Sequence, residues 1–286
     1  MIAIYGTRRQ EEHLGALRSF FASLREREVE FCVSRRFGDY LEDQGIMISA
    51  SEKVDSVPES ATLAVSIGGD GTFLRTSAWL ACREIPVMGI NTGHLGYLAA
   101  FSFDRRDEVD AAIAGEFEVS PRMTVEIETD ALPDGFDSVA LNEISVAKGD
   151  TTSMVNILAE IDDEYLADYV ADGLLISTPT GSTAYNLSCG GPIVEPTASN
   201  LIITPIASHS LTHRPLVVGS ESELRLHVAT RGAEAHVGVD GRTFAVRSGT
   251  VLTIRKSRGR VLVAQPKGMG FASVLRRKLG WGLRGD

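Results

Sequence analysis

The chain has 286 residues, of which 43% are hydrophobic, and its 38 acidic and 28 basic side chains leave a net charge of −10. This length and apolar content suffice for one large domain or two ordinary ones with a real core, and the acidic balance excludes broad nucleic-acid binding, which needs a basic face to displace counterions. No run approaches the roughly 20 apolar residues of a membrane helix, and the start, MIAIYGTRRQ, places its charges after its apolar residues, unlike a signal peptide. Cys32, Cys82 and Cys189 lie far apart without CxxC spacing, so the expectation is a cytoplasmic protein with reduced, buried cysteines and neither a disulfide framework nor a zinc site.

In chain order, IAIYG is expected as a strand, and residues 10–28 as a helix in which Leu14, Leu17, Phe20, Phe21 and Leu24 recur at helical spacing. VEFCV, TLAVSIGG and PVMGIN follow as strands, with a helix over 72–82 between the last two. TLAVSI is a continuous apolar run, the pattern of a strand covered on both faces, and the alternation of strands with helices predicts a doubly wound, mostly parallel α/β sheet. Asp104 is placed to cap a further helix that ends at Gly115 in the left-handed conformation.

Beyond residue 118 the pattern alternates with period two in MTVEIETD, VALNEISVA, MVNILAEID, ELRLHVAT and TVLTIRKS, punctuated by Pro133-Asp134-Gly135 and Asp240-Gly241. This half is expected to be strand-rich and mostly antiparallel. The tail FASVLRRKLGWGL returns to helical spacing at Phe271, Val274, Leu275 and Leu279, and is expected to pack back onto another part of the fold because an isolated helix of that length is marginal in water. Arg276, Arg277 and Lys278 are expected to solvate its outer face. The expected division is an α/β domain over 1–103 and a β-rich domain over 104–267.

The stretch VSIGGDGTFLRT carries the first chemistry. A strand running into Gly68, Gly69 and Gly71 and then a helix from Thr72 lies at the carboxyl edge of a parallel sheet, where open α/β folds bind ligands. Glycine lets backbone approach a phosphate, and the first N–H groups of the helix attract anions, with Arg75 the only cation nearby. Asp70 does not suit a simple phosphate cradle, since it repels phosphate. Either it caps the helix, or it faces a hydroxyl and accepts its proton while the glycines hold a phosphoryl group. Neither GxxxxGK[ST] nor a GxGxxG after the first strand is present, where only Gly6 is available.

GINTGHLGYLA, after the next strand, emerges on the same edge and brings Gly89, Gly93 and Gly96. In it Asn91 caps or turns, and Tyr97 either stacks on a base or sits in the core. ADGLLISTPTGSTAYNLSCGGPI, residues 171–193, concentrates Thr178, Thr180, Ser182, Thr183 and Tyr185, which suit a polar ligand with a flat ring; Ser182 lacks the GxSxG setting of a nucleophile. In VALNEISVA, strand alternation lets only one of Asn142 and Glu143 enter a given pocket unless the strand bulges or ends there. His209 and His213 have i, i+4 spacing but lie between Pro205 and Pro215 without an acidic third ligand, and are assigned a structural role.

In this order and with these separations, GGDGTFLRT, GINTGHLGYLA, LNEISV and DGLLISTPTGSTAYNLSCGGP resemble the NAD kinases over most of the chain. GGDGT alone is shared with phosphofructokinases and diacylglycerol-type lipid kinases; the NE pair and the GSTAY loop distinguish NAD kinases from both. The resemblance implies transfer of the γ-phosphoryl of ATP, or of inorganic polyphosphate, to the 2'-hydroxyl of the adenosine ribose of NAD, with Mg²⁺ or another divalent metal. It implies that Asp70 contacts that hydroxyl as the catalytic residue. It also implies that Gly71, Tyr97, Asn142, Glu143, Asp172, Thr183, Ala184, Tyr185 and Ser188 bind NAD, and that Gly68, Gly69, Thr72 and Arg75 bind phosphate. Tyr97 stands where the family usually has Phe. The resemblance also adds the tail, 268–286, to the α/β domain. The family assembles as dimers or tetramers with sites completed across the interface, so a homo-oligomer is expected. A lipid kinase is disfavoured by the polar GSTAY loop, and a non-catalytic dinucleotide sensor by the presence of Asp70.

Overall fold

In the computed structural model, which describes residues 1–81, 83–93, 96–149, 153–231 and 234–281, the chain divides into two units, Met1–Pro121 with Val261–Asp286, and Arg122–Arg260. Cys82 and the last five residues of the tail lie outside the described residues.

The first unit runs β1 (Ile2–Gly6), α1 (Leu14–Glu26), β2 (Phe31–Ser34), α2 (Arg35–Asp43), β3 (Lys53–Val54), β4 (Leu63–Ile67), α3 (Asp70–Trp79), β5 (Pro86–Asn91), β6 (Phe101–Ser102) and α4 (Arg106–Ile113). Its strands lie parallel in the order β3-β2-β1-β4-β5, with β6 beside β5. The chain thus builds outward from β1 to β3, then returns to the other side of β1 with β4. That reversal makes a topological switch point between β1 and β4, the place where an open sheet leaves a crevice outside its carboxyl ends. On one face Ile2, Ile4, Phe31, Val33, Val65 and Ile67 pack with Leu17, Phe20, Phe21 and Leu24 of α1; on the other, Ala3 and Cys32 pack with Ala61 and Trp79. Both faces are covered, which is why TLAVSI carries no polar alternation.

Three features differ from the sequence-based expectation. α2 and β3 were not foreseen, because β2 passes straight into RRFGDYLED with no polar gap; its apolar Phe37, Tyr40 and Leu41 are buried among charges. α3 begins at Asp70, two residues before Thr72. α4 has Arg105 at its N-cap, while the Asp104 carboxylate accepts from Ser102 Oγ at 3.4 Å instead of capping; Gly115 does follow in the positive-φ region at +93°. Val109 and Ala112 of α4 join the core of the first unit, whose first segment runs to Pro121.

The second unit takes in β7 (Glu118–Glu128) from Arg122, then β8 (Val139–Ala140), β9 (Glu143–Lys148), β10 (Val155–Ile161), β11 (Glu164–Ala171), β12 (Gly173–Ser177), the single-turn α5 (Tyr185–Ser188), β13 (Asn200–Ile206), β14 (Leu216–Gly219), β15 (Leu224–Ala229), β16 (Ala235–Val239), β17 (Arg242–Val246) and most of β18 (Val251–Gln265). One antiparallel layer is ordered β14-β13-β12-β9-β16-β17, another β11-β10-β15-β18. Alternate residues such as Ile144, Val146, Leu174 and Ile176 from the first, and Ile157, Leu224, Leu226 and Val228 from the second, form one core. β11, β13, β14, β16 and β17 were not singled out in the sequence. The turn at Asp240-Gly241 was, and both residues have positive φ, 48° and 79°, as a two-residue hairpin of the primed type requires.

The chain then re-enters the first unit. Leu262–Ala264 pair in parallel with β5, and α6 (Phe271–Leu279) buries Val274 and Leu275. Arg276 and Arg277 are exposed as expected, but Lys278 is not: its Nζ lies 5.0 Å above the Tyr97 ring. Among the described residues no helix is long and apolar enough to cross a membrane.

Candidate active site

In the first unit, buried β4 runs into Gly68, where a φ of +151° and the lack of a Cβ are both required, since a Cβ would collide with the Thr72 side chain. Gly69 and Gly71 differ. Both are exposed, and a Cβ on either would meet nothing within 4 Å, so packing does not demand glycine there. What the missing side chains leave open is backbone. Thr72 and Phe73 donate to the Gly69 carbonyl at 2.9 and 3.1 Å, whereas, among the described residues, the N–H groups of Gly69, Asp70 and Gly71 find no protein acceptor, as expected of the first turn of a helix. Thr72 is buried, and the exposed Arg75 reaches back from Nη2 to its Oγ1 at 3.3 Å.

Asp70 is half-buried and anchors the loop after β5. Its Oδ2 accepts the Tyr97 N–H at 2.7 Å, and its Oδ1 accepts those of Leu98 and Ala99, both at 3.1 Å. Gly96 is glycine because a Cβ there would overlap Asp70 Oδ1. Neither sequence-based reading of Asp70 anticipated this tether. A carboxylate offers about four acceptor positions, so three amides leave one, on Oδ2. The Tyr97 hydroxyl is buried without a partner; burial raises its phenol, and the Asp70 charge adds to the rise. Burial lowers the Lys278 ammonium, against the opposing pull of Asp70. One face of the Tyr97 ring is therefore covered by a cation. Lys278 was missed because three consecutive basic residues in a tail read as a solvated face.

In the second unit the NE pair stands where the strand breaks. β8 ends at Ala140, β9 starts at Glu143, and the Asp240 carboxylate, from the β16–β17 turn, accepts the N–H groups of Leu141, Asn142 and Glu143 at 2.7, 2.8 and 3.2 Å. This releases both side chains from strict alternation. Asp240 therefore does for residues 141–143 what Asp70 does for 97–99; the sequence showed it only as a turn residue. Burial pushes the Glu143 carboxyl up to about 8, with the Asp240 charge adding to the shift, and Glu143 Oε2 is buried without a partner. At neutral pH Glu143 is thus mostly a neutral acid with a hydrogen to donate.

The GSTAY loop is bound to that break. Thr178 Oγ1 donates to the Leu141 carbonyl at 2.6 Å, the Thr178 N–H donates to the Asn142 carbonyl at 2.9 Å, and Gly181 leaves no room for a Cβ beside the same oxygen. The expectation that the loop's hydroxyls face a ligand is corrected for two of them. Thr178 is spent as described, and Ser182 exchanges hydrogen bonds with Val194 at 3.0 and 3.1 Å. Thr183 Oγ1 donates to the Thr180 carbonyl at 3.5 Å, and the Ala184 N–H donates to Gly181 at 2.8 Å. Tyr185 stays 47% exposed and Ser188 is exposed, so the aromatic face remains available. The Cys189 thiol, half-buried rather than buried, lies beside Tyr185, and the charges of Asp172 and Glu143 reach the same phenol. Asp172 is paired with Lys148 at 2.6 Å, a partner the sequence did not suggest. His213 packs on Tyr169 with ring centroids 4.7 Å apart and meets Ser208 Oγ at 3.0 Å.

Two family models match the chain, the ATP-NAD kinase N-terminal domain over residues 22–117 and the ATP-NAD kinase C-terminal domain over 141–265. Among curated relatives, the NAD kinase of Porphyromonas gingivalis is 37% identical over 283 residues, spanning 98% of each chain, and that of Bacteroides fragilis is 36% identical over 282 residues, spanning 98% of this chain and 97% of the relative. Among solved structures, the yeast NADH kinase complexed with NADH superposes with a TM-score of 0.83 at 25% identity, covering 100% of this chain and 89% of that one. An NAD kinase from Archaeoglobus fulgidus in complex with ATP gives 0.72 at 28% identity, covering 98% of both. The chain belongs to the NAD kinase family and is a phosphotransferase.

Proposed function

We propose that the protein transfers the γ-phosphoryl of ATP to the 2'-hydroxyl of the adenosine ribose of NAD, releasing ADP and NADP. The observation that carries the reading is the GGDGT turn: exposed Gly69 and Gly71 present amides without acceptors, directly beside a carboxylate with one acceptor position left. The amides, with Thr72 and Arg75, suit a phosphoryl group, whose transfer asks the protein mainly for alignment and charge neutralisation. Asp70 Oδ2 accepts the hydrogen of the attacking hydroxyl as its oxygen bonds to phosphorus. For NAD, Glu143 donates from its neutral carboxyl, Asn142 and Asp172 offer polar contacts, and Tyr185 offers a stacking face beside Thr183, Ala184 and Ser188; Gly71 and Tyr97 complete the set. Mg²⁺ or another divalent cation accompanies the donor's phosphates. Among the described residues no three His, Cys, Asp or Glu side chains converge as a cation cage, so no residue is assigned as a metal ligand. The family resemblance also supports a cytoplasmic homodimer or homotetramer.

The test is a coupled assay for NADP from NAD, ATP and Mg²⁺, repeated with polyphosphate and with NADH. NADP formed from ATP supports the reading; no NADP with any donor, despite measurable NAD binding, replaces it with a dinucleotide sensor. Gly69→Val sharpens the assignment. The new side chain enters open space at an extended backbone position (φ −87°, ψ −172°), so the fold is retained, while the approach to phosphate is blocked. The KM for ATP is expected to rise about tenfold or more, roughly 1.4 kcal/mol, with the KM for NAD little changed. An unaltered KM for ATP places the phosphate elsewhere.

A further inference from the structure

At the carboxyl edge of the first unit's sheet lies a cavity of about 540 Å³ lined by Tyr5, Gly6, Thr7, Arg8, Arg36 and Arg75. The three arginines come from three adjacent parallel strands: Arg8 from the loop after β1, Arg36 from the first turn of the helix after β2, and Arg75 from the helix after β4. The cavity therefore opens beside the β1/β4 switch point, and two inter-strand spacings of about 4.8 Å spread its cations over roughly 10 Å. Among the described residues none of the three is ion-paired; the one hydrogen bond they make is from Arg75 to the neutral Thr72 hydroxyl. Nearby carboxylate is already taken, since Arg35 holds Asp55 with two contacts of 2.7 and 2.9 Å. In a chain with a net charge of −10, three unpaired, exposed guanidinium groups lining one cavity form a local basic patch suited to an anion, and the volume is that of a small-molecule site. Guanidinium forks match phosphate oxygens in geometry as well as charge, and their spread fits a chain of phosphates better than one.

We infer that this cavity binds the polyphosphate chain of the phosphoryl donor, with Arg8 and Arg36 as donor-binding residues beside Arg75. The assignment to the donor rests on the function proposed above; the recognition of a phosphate chain does not. ATP and inorganic polyphosphate share that chemistry.

The experiment titrates the full chain with inorganic tripolyphosphate, without NAD, by calorimetry, for the wild type, the Arg8→Ala/Arg36→Ala pair and the Arg8→Lys/Arg36→Lys pair. Each variant is then assayed with ATP and with polyphosphate. The alanine pair is expected to weaken tripolyphosphate binding about a hundredfold, roughly tenfold per arginine, to raise the KM for ATP with the KM for NAD unchanged, and to keep its circular dichroism spectrum. Lysine should restore part of the loss, since it returns charge without the fork. If polyphosphate also serves as donor, both donors should suffer alike. Unchanged tripolyphosphate binding by the alanine pair overturns the inference, as does a loss confined to ATP when polyphosphate is also used. Tripolyphosphate bound through the arginines with no NADP formed keeps the cavity and removes the proposed reaction; NADP formed by the alanine pair with a wild-type KM for ATP does the reverse.

Discussion

Asp70→Asn should lower turnover by a factor of about 10² to 10⁴, the usual contribution of a positioned proton acceptor, and should also destabilise the first unit by about 1–3 kcal/mol. The second effect follows from the tether. Asparagine keeps one carbonyl oxygen for the Leu98 and Ala99 N–H groups, but its amide nitrogen then faces the Tyr97 N–H, donor against donor. A loss of turnover alone would not separate chemistry from anchoring. Gly96→Ala tests the anchor without removing the acceptor, because its Cβ intrudes on Asp70 Oδ1 and forces the tether to shift while the side chain remains a carboxylate. Steady-state kinetics and thermal melts on both variants check the assignment. A large fall in turnover for Asp70→Asn with a small one for Gly96→Ala gives Asp70 a direct role. Equal falls in the two reduce it to an anchor for residues 97–99.

Glu143→Gln is expected to stabilise the protein at pH 8 and to change little at pH 5. In the folded chain the carboxyl is raised from 4.5 to about 8, so between those values the native state holds a proton that the unfolded state releases. Stability from this group is fully present below pH 4.5 and is lost progressively as pH rises to about 8. A shift of that size corresponds to at most about 5 kcal/mol, and glutamine, neutral at every pH, removes the dependence. Asp240 faces Glu143 and adds its charge, Arg242 bears on Asp240, and Tyr185 and Cys189 feel the Glu143 charge. Denaturant melts at pH 5, 6.5 and 8 should show the variant overtaking the wild type as pH rises. Parallel profiles would mean that Glu143 ionises as an ordinary surface carboxylate. Above pH 8 the wild type should also bind NAD less tightly, since its carboxyl then has no hydrogen to donate, and the glutamine variant should not share that decline.

The glycines of GGDGT could be assigned to backbone approach from their spacing, and the structure divides them further. Gly68 and Gly96 are glycine because neighbours occupy the space of a Cβ; Gly69 and Gly71 face open space. Thr178 and Ser182 illustrate the opposite case. A hydroxyl in a polar loop looks the same in sequence whether it meets a ligand or a carbonyl, and here both close hydrogen bonds within the second unit. Arg8 and Arg36 were unremarkable as members of the Arg8-Arg9 and Arg35-Arg36 pairs, and Lys278 was misplaced to solvent.

Local chemistry written in consecutive residues was legible from the sequence: covered strands as continuous apolar runs, the antiparallel half as period-two alternation, the Asp240-Gly241 turn, the glycine-rich turn between β4 and α3, and the family through four motifs in order. Those signals survive because each depends on residues that are neighbours along the chain. The tertiary structure alone decided which carboxylate serves which backbone, as when Asp70 reaches 27 to 29 residues ahead and Asp240 reaches 97 to 99 residues back. It also decided the burial that neutralises Glu143 and the convergence of three arginines from three strands. Hydrogen bonds, desolvation and charge clusters depend on distance in space, and folding sets that distance without leaving a local pattern in the chain.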